Sequence, residues 1–487
     1  MLLHATPLDP RALASDLWSP DDLPDRRLWT RLVTTVAFLC ERLDAPTTRH
    51  PRAPRRGLQR FCDNPRVDSE RLTERAQTRL LRTLEAFPLL VFAHDTTEVD
   101  KVGRSEPDDT GPLRSNAARG YLVHSCVAVD PGTHSLLGVL DAHAWRRSWT
   151  LRRQDHKTRA PHDKESVKWR RGVRRAVAVA SRHGLTAVLV HAFDREGDVH
   201  ENFTFARRGR HRVVVRAAQD RRIAEGEGML WTYLSAQPVR DTQTQVVRTE
   251  VSASARKAAA TEGDAALARF ETKVAKLPAS RTATVELRFA TVTLTPKKGR
   301  RRPVLVEAIA LREVDPPEGV EPLDGILLTT CPVTTVTEAR TVVGYYQDRY
   351  GIEPFHRIWK SGLHLEREAV ADLASFTRLL AILMPTASHL AQWTYAARVT
   401  PQAPAAPHVE PEVLKALKDA CRFHKLPLPR RAWTLKDVVT RLAQLGGYEP
   451  RPDRVPGWIV IWRGWRELLR FLAIFEYAQT RRKQAPD

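Results

Sequence analysis

Between Phe87 and Arg216 the chain lays down three strands, a helix, a strand, a second helix and a last strand. That order constrains the fold more than any other feature. The first strand is the apolar run Leu89-Leu90-Val91-Phe92-Ala93-His94, closed by Asp95. Two more, Tyr121 to Val129 and Leu136 to Ala144, are joined around the turn Asp130-Pro131-Gly132-Thr133. Glu165 to His183 reads as a helix with Val167, Val173, Val177 and Ala180 inward, and Gly184 as its terminator. Ala187 to Phe193 is the fourth strand and again ends in an acid, Asp194. A helix from Asp198 to Arg208 and a strand from His211 to Arg216 complete the series.

This is the element order of a ribonuclease-H-like α/β fold. Open α/β sheets place ligands beyond the carboxyl ends of their strands, so Asp95 and Asp194 fall where chemistry is expected. In this topology their strands lie side by side, and two carboxylates brought together there repel unless a cation sits between them. Each acid alone is also an ordinary cap for the turn after its strand. Residues from about 220 to 330 interrupt the fold with strands at Thr244 to Val251, Thr282 to Leu294, Val304 to Leu311 and Ile326 to Thr330. An Ala- and Lys-rich helical piece, Ala255 to Lys276, lies between the first two, and the whole segment reads as an antiparallel β insertion. Lys297, Lys298, Arg300, Arg301 and Arg302 form a basic hairpin tip, suited to a nucleic-acid backbone or to solvent.

A third acid follows in Tyr346-Gln347-Asp348-Arg349-Tyr350-Gly351-Ile352-Glu353-Pro354-Phe355-His356-Arg357-Ile358-Trp359-Lys360. Tyr346, Arg349, Glu353, Arg357 and Lys360 recur at helical spacing, so at about 100° per residue they share one stripe. A carboxylate there can hold a hard cation while the cations around it grip phosphate. The same stripe also describes a solvated face with ordinary salt bridges. Thr335 with Glu338 predicts a capping box for the helix leading in. Pro354 and Gly351 predict a kink, with Glu353 just ahead of a new helical start. Together Asp95, Asp194 and Glu353 form a candidate acid triad for two divalent cations. Oxygen ligands without soft donors point to Mg²⁺, with Mn²⁺ as a substitute.

Helical segments flank this core. Residues 1 to 88 carry an amphipathic helix through Leu28, Leu32, Val36 and Cys40, an Arg- and Pro-rich stretch from Thr47 to Arg60, and a helix capped by Asp68 or Ser69. Helices around an Arg-rich loop suit phosphate contact. Residues 371 to 487 are helical again, with Thr434 and Asp437 as a capping pair and Gly446 as a stop. Trp458, Trp462 and Trp465 then make either a tertiary core or a dimer interface. The expected domains are thus 1–88, 89–370 and 371–487.

A net charge of +21 from 78 Lys and Arg against 57 Asp and Glu favours a polyanionic partner such as double-stranded DNA. Five scattered cysteines with no C-x-x-C pair argue against zinc fingers and disulfides and fit a reducing compartment. Met1 to Trp18 lacks a secretory pattern, and Leu379 to Trp393 is too short and interrupted to span a membrane. The expectation is a cytoplasmic protein with no membrane partner. There is no P-loop, Rossmann fingerprint or repeat period.

The chain resembles bacterial cut-and-paste DDE transposases of the transposon-five kind, a group of insertion-sequence enzymes. Their third acid sits in Tyr-x2-Arg-x3-Glu-x6-Lys, matched by Tyr346, Arg349, Glu353 and Lys360. The first acid opens Asp-Thr-Thr, here Asp95-Thr96-Thr97, and the second opens Asp194-Arg195-Glu196-Gly197-Asp198. Further likeness lies at Arg60-Phe61, Asn64-Pro65, Arg119-Gly120, Val123-His124-Ser125, Lys164-Glu165-Ser166, Lys168-Trp169, Leu445-Gly446-Gly447 and Trp462-x-Gly464-Trp465. The resemblance implies an N-terminal domain for transposon ends, a catalytic core and a C-terminal domain for homodimerisation. It implies nicking at the element end, a hairpin intermediate, excision and strand transfer by the freed 3′-hydroxyl. By the same likeness Tyr346, Arg349 and Lys360 hold phosphates of the non-transferred strand. Arg357 replaces a family lysine, and Arg216 matches a family arginine.

Two positions depart from that pattern: Gly325 stands where the family has a base-stacking Trp, and Pro354 where a second Glu is frequent. Stacking on an aromatic is worth about 1–3 kcal/mol, so hairpin handling is the step Gly325 puts in question. The other readings are a ribonuclease-H-like nuclease without strand transfer, and a catalytically silent, DNA-binding or inhibitory relative.

Overall fold

The computed structural model describes residues 7–484 except 42–51, 102–106, 108, 115–117, 153–164, 207–209, 227, 297–301 and 451–455. The chain divides into two compact units: Met1–Val188 with Asp348–Asp487, and Leu189–Gln347.

The first unit opens with helices α1 (Pro10–Leu17), α2 (Arg26–Glu41), α3 (Arg52–Cys62) and α4 (Ser69–Leu84). Leu28, Leu32, Val36 and Cys40 are all buried, as their spacing on α2 requires. The Asp68 carboxylate caps α4 by accepting the Glu70 and Arg71 N–H groups at 2.9 and 3.2 Å. The stretch expected to be an Arg-rich loop is helical from Arg52 onward. Pro54 permits this because it falls in the first turn, where its missing N–H has no helical partner to lose.

Four strands follow: β1 (Leu89–Asp100), β2 (Gly111–Pro112), β3 (Arg119–Asp130) and β4 (Ser135–Trp145). β3 is central and pairs antiparallel with the other three. It is buried along nearly its whole length. Gly120 is needed there, since a Cβ would lie 2.0 Å from the Val99 carbonyl oxygen. β1 does not stop at Asp95. Thr96, Thr97 and Val99 carry it on to Asp100 with alternating burial, so Asp95 sits in mid-strand rather than at a carboxyl end.

After the short helix α5 (Trp149–Arg152) comes α6 (Val167–Arg182), which buries Trp169, Val173, Ala176 and Ala180 while Val167 and Val177 are half-buried. Gly184 terminates it with φ +68°.

The second unit holds β5 (Val188–Phe193), α7 (His200–Ala206), β6 (His211–Arg216), α8 (Leu230–Ser235), β7 (Asp241–Arg248), α9 (Ala253–Glu262), α10 (Asp264–Ala275), β8 (Ser280–Leu294), β9 (Val304–Val314), β10 (Asp324–Thr329) and α11 (Val336–Asp348). β5 and β6 run parallel; β6, β10, β9, β8 and β7 then follow in antiparallel succession. The inserted strands therefore extend one mixed sheet through β10 instead of forming a sheet of their own. The Ala- and Lys-rich piece is two helices, broken where Gly263 takes φ +118°. Lys297, Lys298, Arg300 and Arg301 of the basic hairpin tip lie outside the described residues. The Thr335–Glu338 capping box forms, with the Thr335 N–H donating to Glu338 at 3.0 Å and the Glu338 N–H to Thr335 at 3.2 Å.

The first unit resumes with α12 (Ile352–Arg357), α13 (Leu373–Val399), α14 (Pro411–Phe423), α15 (Leu435–Leu445) and α16 (Trp458–Gln484). α13 lies on β4 and contacts α3, α4, α15 and α16, so the apolar stretch around Leu379 is the centre of this unit. Among the described residues no helix is long and apolar enough to cross a membrane. Trp462 and Trp465 are core residues: both are buried, and the Trp465 indole N–H donates to the Leu8 carbonyl at 2.9 Å. α15 and α16 cross with backbones in contact at Gly446 and Gly464.

Candidate active site

The polar stretch after α11 does not keep a constant helical phase. A 3₁₀ turn occupies Arg349–Gly351, α12 covers Ile352–Arg357, and a π-helical turn covers Ile358–Gly362. Each change of winding rotates the side chains that follow, so the uniform stripe expected from spacing breaks up. Tyr346 and Arg349 are buried, Glu353 and Arg357 are exposed, and Lys360 is in between, 3.7 Å from Glu366. The expected break is present, but α12 begins at Ile352, which puts Glu353 inside its first turn. Pro354 follows at a position where no N–H bond is required.

Within the first unit β1 packs against this turn and α12, and His356 reaches Asp95. The His356 Nδ1 lies 3.5 Å from Asp95 Oδ2, and its Nε2 lies 2.6 Å from the Ser125 hydroxyl. Asp95 Oδ1 accepts the Thr96 N–H at 2.7 Å. Burial pushes the Asp95 carboxyl upward, but the His356 hydrogen bond and charge, the Thr96 N–H and the Arg349 guanidinium outweigh it. The net result holds Asp95 below the usual carboxylate range. The Arg349 guanidinium also sits 3.3 Å from Glu353 and over the Tyr350 ring. Arg349 thus acts on two of the three predicted acids.

Behind Asp95, His124 bonds Thr96 through Nδ1 at 2.9 Å and His94 through Nε2 at 3.2 Å, with the Trp169 ring edge-on. Burial drives the His124 imidazole down to about 3 and keeps it neutral. A side chain at Gly172 would strike the His124 ring. These contacts bring together Thr96, His124 and Trp169 from the Asp-Thr-Thr, Val-His-Ser and Lys-Trp motifs. None of them was legible as a contact in the sequence, which shows spacing along the chain but not which strand face meets which helix.

In the second unit Asp194 follows β5 and accepts the Glu196 N–H at 2.9 Å, opening a 3₁₀ turn at Arg195–Gly197. The capping reading therefore describes one of its oxygens. Asp198, which closes that motif, is buried and structural: it accepts from Arg221 Nη2 at 2.6 Å and from the Ala218 N–H at 2.9 Å. Arg216 donates to the Asp324 carbonyl at 2.7 Å and lies against Gly325. A Cβ at Gly325 would meet Arg216 Nε at 3.5 Å, ordinary contact, so the backbone does not demand glycine there.

The oxygen donors at Asp95 and Glu353 fit a hard divalent cation in charge and chemistry. Among the described residues no three His, Cys, Asp or Glu side chains are grouped as a metal-holding set. A family model described as a transposase DDE domain matches residues 132–386, a span that contains Asp194, Arg216 and the whole Tyr346–Lys360 stretch and begins after Asp95. That match covers just over half of the chain, and the chain belongs to the DDE transposase family.

Proposed function

We propose that the protein is a cut-and-paste DNA transposase of the transposon-five type, cleaving at transposon ends and transferring the freed strand into target DNA. The observation that carries this reading is the placement of Arg349, which pairs with Glu353 and holds down Asp95. A carboxylate paired with a guanidinium offers a donor for a cation beside a donor for phosphate. Membership of the family implies DNA as the partner, and the family generally uses divalent metal ions.

Asp95, Asp194 and Glu353 are the residues that would hold two Mg²⁺, with Mn²⁺ able to substitute. When bound, such ions supply the charge that activates an attacking oxygen and stabilises the leaving one in phosphodiester displacement. Tyr346, Arg349, Arg357, Lys360 and Arg216 are assigned to the DNA phosphates. Residues 1–88 are assigned to the transposon end. There α1, α2 and α3 line an open groove bearing Arg11, Arg31, Arg56 and Arg60, a basic surface suited to a DNA backbone. Residues 89–370 form the ribonuclease-H-like core, and 371–487 serve dimerisation of a cytoplasmic, nucleoid-associated bacterial enzyme.

The test is Mg²⁺-dependent nicking of DNA carrying the inverted repeats that flank this gene, followed by a joining assay. Asp95→Ala, Asp194→Ala and Glu353→Ala should each abolish nicking while end binding persists. Nicking retained in any one removes that residue from the triad. Robust cutting without joined product makes the protein a nuclease, and specific binding without cutting makes it a silent relative.

A further inference from the structure

We infer that His356 is the positioning residue for Asp95, with Ser125 bracing the imidazole ring from its other side. The inference rests on the role given to Asp95 above. β1 and β3 pair so that Asp95 and Ser125 are directly opposite. On an antiparallel ladder, opposed residues project from the same face, and His356 from α12 meets both.

The order Ser125, His356, Asp95 superficially matches a nucleophile, a base and its orienting acid. Ser125 is fully buried beneath the imidazole, however, and no substrate reaches it. The same geometry serves another purpose. An ionised Asp95 only accepts, so the ring nitrogen facing it, Nδ1, carries the proton. Nε2 meets the Ser125 hydroxyl at 2.6 Å on the other side of the ring, a contact short enough to fix the ring plane. Phe355 and Trp359 flank the ring on the same helical segment and limit its rotation.

The Asp95 carboxylate is thereby held at both oxygens, Oδ1 by the Thr96 N–H and Oδ2 by His356. His356 stands three residues beyond Glu353, one turn along the same short helix. The 3.5 Å contact between His356 and Asp95 thus links the strand bearing Asp95 to the helix bearing Glu353. Partners of this kind orient carboxylates that bind metals, and their loss typically lowers metal affinity or activity about 10- to 100-fold.

Three substitutions in the full chain separate positioning from packing. An Asn side chain puts its amide N–H near the place of Nδ1, whereas Gln reaches toward Nε2 and the serine. Mn²⁺ titration of the protein followed by electron paramagnetic resonance reads metal binding without turnover, and nicking of end DNA reads activity. His356→Ala and His356→Gln should weaken Mn²⁺ binding and nicking together by about 10- to 100-fold. His356→Asn should recover most of both, with end binding and thermal unfolding equal in the Asn and Gln variants.

Equal behaviour of Asn and Gln overturns the inference, as does a wild-type chain with no saturable Mn²⁺ binding. If His356→Ala does not fold, the Asn and Gln pair carries the comparison. Asp95→Ala distinguishes the two levels of argument. Nicking that survives it refutes the role of Asp95 and this inference with it. Nicking lost there but unaffected by every His356 variant refutes only the inference.

Discussion

Within the first unit His134 and Asp348 are joined by a 2.7 Å contact between Nδ1 and Oδ1 that fastens the β3–β4 turn to the residue at which that unit resumes. His134 holds φ +52° in that turn, a left-handed conformation that few side chains adopt without local support. Asp348 is buried, and burial raises its carboxyl to about 6 despite the hydrogen bond and charge of His134.

That elevation has a sign. Between 3.8, the ordinary value, and about 6 the folded chain keeps a proton on Asp348 that the unfolded chain has released. The folded state binds more protons there, so this group's contribution to stability falls as pH rises through the window and is lowest above it. Asp348→Asn should flatten that part of the stability–pH curve, measured by denaturant unfolding at a series of pH values. His134→Ala should move the window upward, because it removes the partner that holds the carboxyl down.

Lys101 gives the opposite slope. Its ammonium is buried, donates to the Leu365 and Glu368 carbonyls at 2.6 and 2.9 Å, and is lowered by burial from 10.5 to about 8. Between those values the unfolded chain holds the extra proton, so this group's contribution rises with pH across the window. Lys101→Met should remove that rise. It should also destabilise the fold at neutral pH by about 1–3 kcal/mol, since two buried carbonyls lose their donor. Equilibrium unfolding at neutral and alkaline pH checks both parts.

The α15–α16 crossing depends on two glycines. A Cβ at Gly464 would lie 1.5 Å from the Leu442 carbonyl oxygen, and one at Gly446 would lie 1.8 Å from that of Val460. Both obstacles are backbone, so the helices must separate to admit a methyl group. Gly464→Ala should destabilise by about 1–3 kcal/mol or more. Gly57→Ala on α3, with nothing within 4 Å, should stabilise by about 0.5–1 kcal/mol. Thermal unfolding of the two variants side by side decides the matter.

Arg349 pairs with Glu353 at 3.3 Å, and its charge adds to the causes that lower Asp95. Arg349→Ala should reduce nicking about 10- to 100-fold through lost phosphate and carboxylate contacts, and Arg349→Lys should rescue it poorly, since a point charge cannot reproduce a planar fork. Steady-state nicking of end DNA at fixed Mg²⁺ measures both.

Much of the framework was legible because strand and helix periods differ. The run from Leu89, the turn at Asp130, the Gly184 stop and the Thr434–Asp437 cap all appear where local chemistry requires them. The end of β1 was misread because its apolar run stops at Asp95, while the threonines and Val99 beyond it extend the strand by alternation instead. The stripe through Glu353 was misread for a different reason: spacing assumes one winding, and this backbone passes through three. The Asp95–His356 and Asp348–His134 contacts join residues more than 200 positions apart. No local pattern encodes such pairs; register between strands and the docking of a helix decide them.

The first unit is discontinuous, with the segment 189–347 threaded between its two parts. A ribosome therefore releases Asp95, then all of that segment, before the helix bearing Glu353 and His356 exists. A product truncated between Asp194 and residue 348 carries Asp95, Asp194 and the N-terminal helices but lacks Glu353. Such a product also lacks α13, on which α3 and α4 pack, so the first unit closes its core only after the C-terminal helices have been made.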